Sequence, residues 1–279
     1  MSKASDPYAQ PEWYDLLHAP GTMRDAAALL RVARRFVGAD AASGAWLECG
    51  CGTGRYGFAL QNRGVASFVG VDLHPAMVAY ARRRAREERG GRAGRRVRFV
   101  LGDMRTLRGL AAGGGRSAGL DAAFCLDNSI RHLSSDAAMA EHLRAVRRVL
   151  SRTGVYIVGL GLRPEGGDSP SEHISLARRR GVTVHSVANF LPPEESATGR
   201  AARMERCFIH TTVSARGASH EHLSRYGLRT WTPEQWKRAV RAGGMREIGV
   251  VDDRARDLGE GRTGYAYRVL ANAVSTHHR

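Results

Sequence analysis

Short apolar segments alternate with amphipathic segments over the first 160 residues of the chain. The apolar segments end at glycines or acids, as buried strands commonly do, and they lie at 45–48, 67–71, 97–101, 120–126 and 154–160. Apolar residues at helical spacing between them predict helices at 23–37, 55–62, 75–86 and 136–150. Glycine-rich loops are expected at 90–94 and 111–119. This alternation predicts a parallel sheet with helices on both faces.

The pattern changes after residue 163. A turn-rich linker at 163–170 precedes three extended segments of mixed polarity, at 183–190, 202–213 and 220–227. We expect them to form an antiparallel lobe, residues 164–229, inserted into a core made of 1–163 and 230–279. Thr232 and Pro233 suit the cap and first position of a helix through Ala242, and strands are expected at 245–251 and 265–270. The predicted fold class is α/β, a Rossmann-like, doubly wound, mostly parallel seven-stranded sheet with an inserted antiparallel β lobe.

Three consecutive predicted strands end in residues that suit a nucleotide-like ligand. The first runs into Glu48-Cys49-Gly50-Cys51-Gly52-Thr53-Gly54, where glycines let the backbone bend sharply and approach a ligand closely. The second ends at Asp72, about 20 residues after the glycine loop, where dinucleotide folds place an acid that binds the ribose hydroxyls. The third ends at Asp103. In such sheets ligands bind at the carboxyl ends of the strands.

These residues resemble the motifs of class I, Rossmann-like S-adenosylmethionine (SAM)-dependent methyltransferases. The family's first motif, an acid followed by Gly-x-Gly-x-Gly, is matched by Glu48, Gly50, Gly52 and Gly54. The resemblance implies that SAM is the cofactor, with S-adenosylhomocysteine as the product, and that no metal is needed. It places Asp72 on the ribose diol, Leu73 on the adenine, Asp103 with Met104 at the adenine amino edge, and Leu126 in the cofactor site.

The segment after the fourth predicted strand is similar to one in glycine N-methyltransferase and in bacterial amino-sugar N-methyltransferases. It reads Cys125-Leu126-Asp127-Asn128-Ser129-Ile130-Arg131-His132-Leu133. In those relatives an N-terminal arm brings a tyrosine over the cofactor, and residues 1–40 are the equivalent here, with Tyr14 as the candidate and Tyr8 behind it. Asp127, Asn128 and Arg131 are expected on the acceptor side, and Arg131, which replaces a small residue, would suit an acidic acceptor.

His132 is the candidate base. An amine nucleophile must lose its proton before it attacks the methyl group, and histidine titrates near neutral pH. The competing interpretation is that His132 only packs locally. The predicted activity is therefore methyl transfer from SAM to a small-molecule acceptor at nitrogen, with a small-molecule O-methyltransferase as the near alternative.

Other functions are disfavoured or left open by the same residues. A nicotinamide dehydrogenase requires Gly-x-Gly-x-x-Gly, and here the third glycine comes one residue early. Nucleobase amino-methyltransferases place Asn/Asp-Pro-Pro-aromatic where this chain has Asp127-Asn128-Ser129-Ile130, and cytosine C5 enzymes need a Pro-Cys pair that is missing. A methyltransferase fold that only binds a ligand stays open, because fold does not fix function.

The net charge of +16 raises the alternative of an RNA methyltransferase that uses an arginine-rich surface. Lys3 and Lys237 are the only lysines, and the excess of arginine, alanine and glycine equally fits a GC-rich codon bias. The four cysteines form neither a disulfide framework nor a zinc motif, which suits a reducing compartment. We expect a cytoplasmic protein with no signal peptide or membrane span; a homodimer is compatible with the sequence.

Overall fold

The computed structural model describes residues 6–40, 44–88, 96–110, 119–165, 167, 169–194 and 196–273. The loop predicted at 90–94 and residues 111–118 of the loop predicted at 111–119 lie outside these ranges. Six helices and eleven strands are found within them. None of the described helices combines the length and the apolar character that a membrane crossing requires.

The larger sheet has seven strands in the order β3–β2–β1–β4–β5–β11–β10, in which β11 alone runs opposite to the other six. Its strands are β1 Ala45–Cys49, β2 Ser67–Asp72, β3 Arg96–Leu101, β4 Leu120–Cys125, β5 Leu150–Leu162, β10 Met245–Val251 and β11 Gly264–Asn272. The strand order reverses between β1 and β4. In sheets of this kind a crevice forms at that point, outside the carboxyl ends of the strands.

Helices cover both faces of this sheet, because the strands bury apolar side chains on both sides. They are α1 Pro11–His18, α2 Thr22–Val37, α3 Arg55–Asn62, α4 Pro75–Glu88, α5 Asp136–Val149 and α6 Pro233–Ala242. One face packs α2, α3 and α4 around Trp46, Phe68 and Phe124. The opposite face packs α5 and α6 around Leu143 and Trp236.

The smaller sheet is antiparallel and has the order β6–β7–β8–β9. Its strands are β6 Ser171–Arg179, β7 Val182–Leu191, β8 Met204–Ala215 and β9 Ala218–Arg229. The seven-stranded, mostly parallel sheet and the separate antiparallel sheet confirm the predicted fold class. The inner face of the small sheet is turned toward α1 and the carboxyl ends of the larger sheet, where it lines a cavity.

Two elements were not predicted from the sequence. Strand β6 is exposed along almost its whole length, so its sequence lacks the apolar alternation that marks a half-buried strand. Helix α1 is only eight residues long and begins at Pro11, in the part of the N-terminal arm where no helix was predicted. The cap of α6 was predicted: the Thr232 hydroxyl oxygen accepts a hydrogen bond from the Gln235 backbone N–H, and Gln235 Oε1 accepts one from the Thr232 backbone N–H.

Candidate active site

The glycine loop between β1 and α3 is held tightly against the end of β2. The backbone N–H groups of Gly50 and Cys51 both donate to the Val71 carbonyl, at 2.8 and 3.0 Å. Gly50, Gly52 and Gly54 all have φ between 50° and 74°, in the left-handed region that favours glycine. At Gly54 a Cβ would lie 2.4 Å from the Phe99 ring, so a side chain there would push the loop out of place.

Asp72 connects this loop to the start of α4. Its Oδ2 accepts a hydrogen bond of 2.7 Å from the Gly52 backbone, and its Oδ1 accepts one of 2.8 Å from the His74 backbone. The carboxylate is therefore fixed in orientation by two backbone donors. Each oxygen keeps a second lone pair for a ligand, since a carboxylate has about four acceptor positions.

A cavity of about 560 Å³, which we call the cofactor cavity, lies above the glycine loop. It contains six of the residues that the sequence assigned to the cofactor: Gly50, Gly52, Asp72, Leu73, Asp103 and Met104. Leu73 is 71% exposed and lines the cavity, so its apolar side chain is accessible to a ligand there. Two carboxylates and an exposed apolar side chain on one wall match the hydroxyls of a ribose and the face of an adenine, so the residues present fit SAM.

Three other residues assigned to the cofactor lie elsewhere. Gly54 caps α3 behind the cavity, and Leu126 is buried in the core, where it lines a separate cavity beside Tyr56. Glu48 is almost completely buried under the loop, and its Oε2 has no hydrogen-bond partner among the described residues. Burial raises the pKa of the Glu48 carboxyl well above its usual range.

A second cavity, of about 500 Å³, lies between the core, the N-terminal arm and the small sheet. We call it the acceptor cavity. Its lining includes Asp127, Asn128 and Arg131 after β4, Tyr8 and Tyr14 from the arm, and side chains from all four strands β6–β9. It is adjacent to the cofactor cavity, because Tyr8, Tyr14, Ser129 and His132 line both.

His132 lies at this junction. Its Nε2 is 2.9 Å from the Tyr8 hydroxyl, and its ring stacks on Tyr226 of β9 with centroids 5.6 Å apart. One side of the ring is accessible from the cleft, but the surrounding atoms remove water, and this burial together with Arg131 lowers the pKa of His132. Asp72 opposes that shift only in part. His132 is thus neutral at neutral pH.

Tyrosines surround the junction. Burial raises the pKa of Tyr8 and of Tyr14 above the ordinary value, and raises that of Tyr226 to about 12, so all three stay protonated and can donate hydrogen bonds. Tyr14 lies directly over the glycine loop, with its Cε1 3.8 Å from where a Cβ on Gly52 would be. The predicted pair His132 and Tyr14 therefore lies at one wall between the two cavities.

Asp15 holds the arm in this position and was not identified from the sequence. It is buried in α1, accepts hydrogen bonds from Thr53 of the glycine loop at 2.8 Å and from Tyr80 of α4 at 3.1 Å, and pairs with Arg84 at 3.0 Å. These partners are 38 to 69 residues away in the chain, so no local pattern could indicate them.

The acceptor-side residues mainly make contacts within the protein. Asp127 accepts from Arg55 and Tyr56, and Asn128 Oδ1 accepts from the Gly161 backbone at 2.8 Å. Arg131 pairs with Glu205 of β8 at 2.7 Å and also donates to the Arg229 carbonyl. Its charge is therefore neutralised, and the expectation that Arg131 favours an acidic acceptor loses its support.

A metal centre has no counterpart in the described part of the chain, where no three His, Cys, Asp or Glu side chains come together as a metal site would need. The four cysteines are buried as free thiols. Burial raises the pKa of Cys49, Cys51 and Cys125, so these thiols are protonated and unreactive.

Comparison with protein families identifies the central part of the chain. A family model described as "Methyltransferase domain" matches residues 47–154, which contain the glycine loop, Asp72, Asp103 and His132. No curated protein sequence matches the chain.

Solved methyltransferase structures share the whole architecture. DesVI from Streptomyces venezuelae superposes with a TM-score of 0.72 at 18% identity, over 97% of this chain and 100% of its own. The sugar N-methyltransferase KedS8 from a Streptoalloteichus species gives 0.69 at 19% identity, over 98% and 95%. SAM-bound CalS10 from Micromonospora echinaspora, an amino pentose methyltransferase involved in calicheamicin biosynthesis, gives 0.63 at 23% identity, over 97% and 98%.

The matching domain, the shared fold and a cavity whose residues fit SAM agree with one another. Residues 47–154 are a SAM-dependent methyltransferase domain, and the chain as a whole has the class I methyltransferase fold.

Proposed function

We propose that the chain transfers the methyl group of SAM to a nitrogen atom of a small-molecule acceptor. The observation that carries this proposal is the wall shared by the two cavities. Tyr8, Tyr14, Ser129 and His132 line both, so a group on the acceptor can approach a group on the cofactor only there. In-line approach at near-attack distance, with water excluded, is most of what a methyl transfer requires of its enzyme.

Two of the similar structures act on sugars: KedS8 is a sugar N-methyltransferase, and CalS10 is an amino pentose methyltransferase. Their overall fold extends over nearly the whole of this chain, including the small sheet that covers the acceptor cavity. This supports a hydroxyl-bearing amine as the acceptor class. The cavity walls are consistent with it, because they combine aromatic rings with neutral hydroxyl groups.

The protein's residues supply binding, orientation and proton transfer. Asp72, Leu73, Asp103 and Met104 hold the cofactor, and Glu48 is the buried acid beneath the loop. When bound, SAM supplies an activated methyl group on a sulfonium and leaves as a neutral thioether. Tyr14 covers the glycine loop, and Tyr8 and Tyr226 fix the imidazole ring of His132.

His132 takes the proton that the acceptor nitrogen loses. A protonated amine has no lone pair to attack with, so a base at the junction is needed before the transfer. Burial lowers the pKa of His132 and keeps its ring neutral; with Nε2–H donating to the Tyr8 oxygen, the lone pair of Nδ1 is available to accept that proton. The Tyr8 hydroxyl, 2.9 Å from Nε2, connects the ring to Tyr226 on the small sheet.

Methyl transfer with ¹³C-methyl-labelled SAM tests the proposed atom. The protein is incubated with matched pairs of acceptors that differ only in an amine or a hydroxyl at the same carbon, and the ¹³C shift of the product distinguishes N-methyl from O-methyl groups. Label on the amine of a pair supports the proposal. Label on the hydroxyl compound alone would establish O-methylation, and label only in added RNA would show that the acceptor is a nucleic acid.

A further inference from the structure

A row of polar side chains crosses the inner face of the small sheet. Strand register aligns Ser175 with Ser186, Ser186 with Thr211, and Thr211 with His222, one residue from each strand. Because aligned residues in an antiparallel sheet point to the same side, all four face the acceptor cavity, and all four line it. At a strand spacing of about 4.8 Å the row is about 14 Å long.

The inner face of a covering sheet normally buries apolar side chains, so this row is unexpected. Ser186 is buried, with its Oγ 3.4 Å from Thr211 Oγ1. His222 packs against Trp13 with ring centroids 4.7 Å apart, and its buried Nε2 has no hydrogen-bond partner among the described residues. The row therefore presents hydroxyl and imidazole groups, rather than apolar groups, toward the acceptor cavity.

The same cavity has no cation available for a phosphate. Arg131 is the only arginine or lysine among the described residues that line it, and its guanidinium is paired with Glu205 in a contact that is about nine-tenths buried. Proteins bind phosphate groups with unpaired Arg or Lys side chains or with helix N-termini. The hydroxyls of serine and threonine instead both donate and accept, which matches alcohol groups.

The length of the cavity sets the size of the acceptor. Tyr226, which stacks on His132 at the junction, and His222 are four residues apart on β9, so their Cα atoms are separated by about 13 Å. An acceptor whose nitrogen lies at His132 and whose hydroxyl groups reach the row is therefore longer than a single six-membered ring. A cavity of about 500 Å³ is within the range of about 300–1,000 Å³ typical of sites for larger small molecules.

We propose that the inner face of β6–β9 binds an uncharged, hydroxyl-bearing body of the acceptor, of more than one ring, through Ser175, Ser186, Thr211 and His222. The proposal rests on the proposed function, because it assumes that the acceptor's nitrogen lies at His132. It assigns specificity to the small sheet and predicts that a phosphorylated acceptor is disfavoured.

Calorimetry on the full chain loaded with S-adenosylhomocysteine tests the proposal by binding alone. The three probes are the methyl glycoside of an amino-deoxyhexose, a disaccharide that contains the same amino sugar, and that amino sugar as its 1-phosphate. Thr211→Val removes one hydroxyl from the row at nearly constant shape. Thr212→Val is the matched control, since it makes the same change at the next residue of β8, on the outer face.

The disaccharide should bind more tightly than the other two probes, and Thr211→Val should weaken its binding about five-fold while Thr212→Val leaves it unchanged. Ser186→Ala should act like Thr211→Val. Preference for the phosphate, an equal response of the two threonine variants, or no binding of any probe would overturn the proposal. Methylation assayed with active SAM in parallel separates the two hypotheses, because binding without N-methylation would refute the proposed function only.

Discussion

Burial sets the protonation state of the two histidines that matter most to the site, His132 and His142. His132 is desolvated at the junction of the cavities, and its lowered pKa keeps it neutral. His142 is completely buried under the cofactor cavity, where its Nδ1 is 2.7 Å from the Met104 carbonyl and its Nε2 is 2.7 Å from the Tyr156 hydroxyl. A carbonyl can only accept, so Nδ1 carries the hydrogen and Nε2 accepts from Tyr156.

Replacing His132 by Asn should lower kcat about 100-fold, the lower end of the range for general base catalysis, and leave the Kd for SAM almost unchanged. In the wild type, kcat should fall as the pH drops through the lowered pKa of His132, because the protonated ring cannot accept a proton. That limb lies below the usual pKa of about 6.5 and should disappear in the variant. An unchanged kcat would reduce His132 to a packing role.

Asp72→Asn should weaken SAM binding by about ten-fold or more, since hydrogen bonds to charged groups are stronger than neutral ones. The amide oxygen can still accept from one of the two backbone donors of the loop, so the effect on stability should be small. Calorimetry with SAM measures the change, and Glu234→Gln, an exposed position on α6, is the control. Equal affinity of Asp72→Asn and wild type would contradict the cofactor assignment.

His142 should make folding stability depend on pH. Burial lowers its pKa to about 4, below the value of about 6.5 in an unfolded chain. Between these values the unfolded state binds the proton and the folded state does not. The contribution of His142 to the free energy of unfolding is therefore fully present above pH 6.5 and is lost as the pH falls toward 4. Urea unfolding should show that the free energy of unfolding falls by about 3 kcal/mol over that pH range because of this residue. His142→Asn should flatten the slope, and an identical slope would refute the assignment.

A buried ion pair connects the small sheet to the core. Arg131, after β4, and Glu205, on β8, are 2.7 Å apart with side chains that are 11% and 12% exposed. Arg229, at the end of β9, reaches Asp136 at the start of α5 and adds a second link. These links keep the inner face of the small sheet over the acceptor cavity.

Glu205→Gln should lower the free energy of unfolding by about 3 kcal/mol, because it leaves the Arg131 charge buried without a partner. The adjacent residue of β8 offers a control: Arg206 pairs with Glu194 at 2.6 Å, but both side chains are largely exposed. Arg206→Gln should therefore lower the free energy of unfolding by less than about 1 kcal/mol. Equal losses in chemical unfolding of the two variants would show that the Arg131 pair has no special role.

The elements of the core could be predicted from the sequence because their signals are local. Helix α3 has the predicted bounds, and β1 and β2 extend the prediction by one residue each, since Gly50 marks the end of the first apolar run and Asp72 the end of the second. The start of β5 was misplaced: the strand follows α5 directly at Leu150, and Thr153 and Gly154 lie within it. Strand β6 depends on pairing with β7 and has no signal of its own.

Viewed as a whole, the molecule brings the sequence-distant arm, core and small sheet together around one junction. The convergence of the glycine loop, Asp72 and Asp103 on one cavity was predictable, because they lie at consecutive strand ends. The acceptor side was not, because Asp15 and Tyr226 acquire their roles only through contacts with residues far away in the chain. Arg131 was predicted to face the acceptor but is neutralised by Glu205, a partner that the sequence could not indicate.

The net charge of +16 is the feature that favours a different acceptor. If the arginine surface presented RNA for methylation, binding to RNA would weaken steeply with salt concentration. A small acceptor held in the acceptor cavity by neutral hydroxyls and aromatic rings should instead show a KM that changes little with salt. The two accounts therefore differ in where the methyl group goes.

The most direct measurement gives the purified chain methyl-labelled SAM and an extract that is afterwards separated into small-molecule, RNA and protein fractions. We predict label in the small-molecule fraction, on nitrogen, and its loss with the His132→Asn variant. Label that enters RNA or protein instead, or small-molecule labelling that is as fast with His132→Asn as with the wild type, would contradict methyl transfer at the junction of the two cavities.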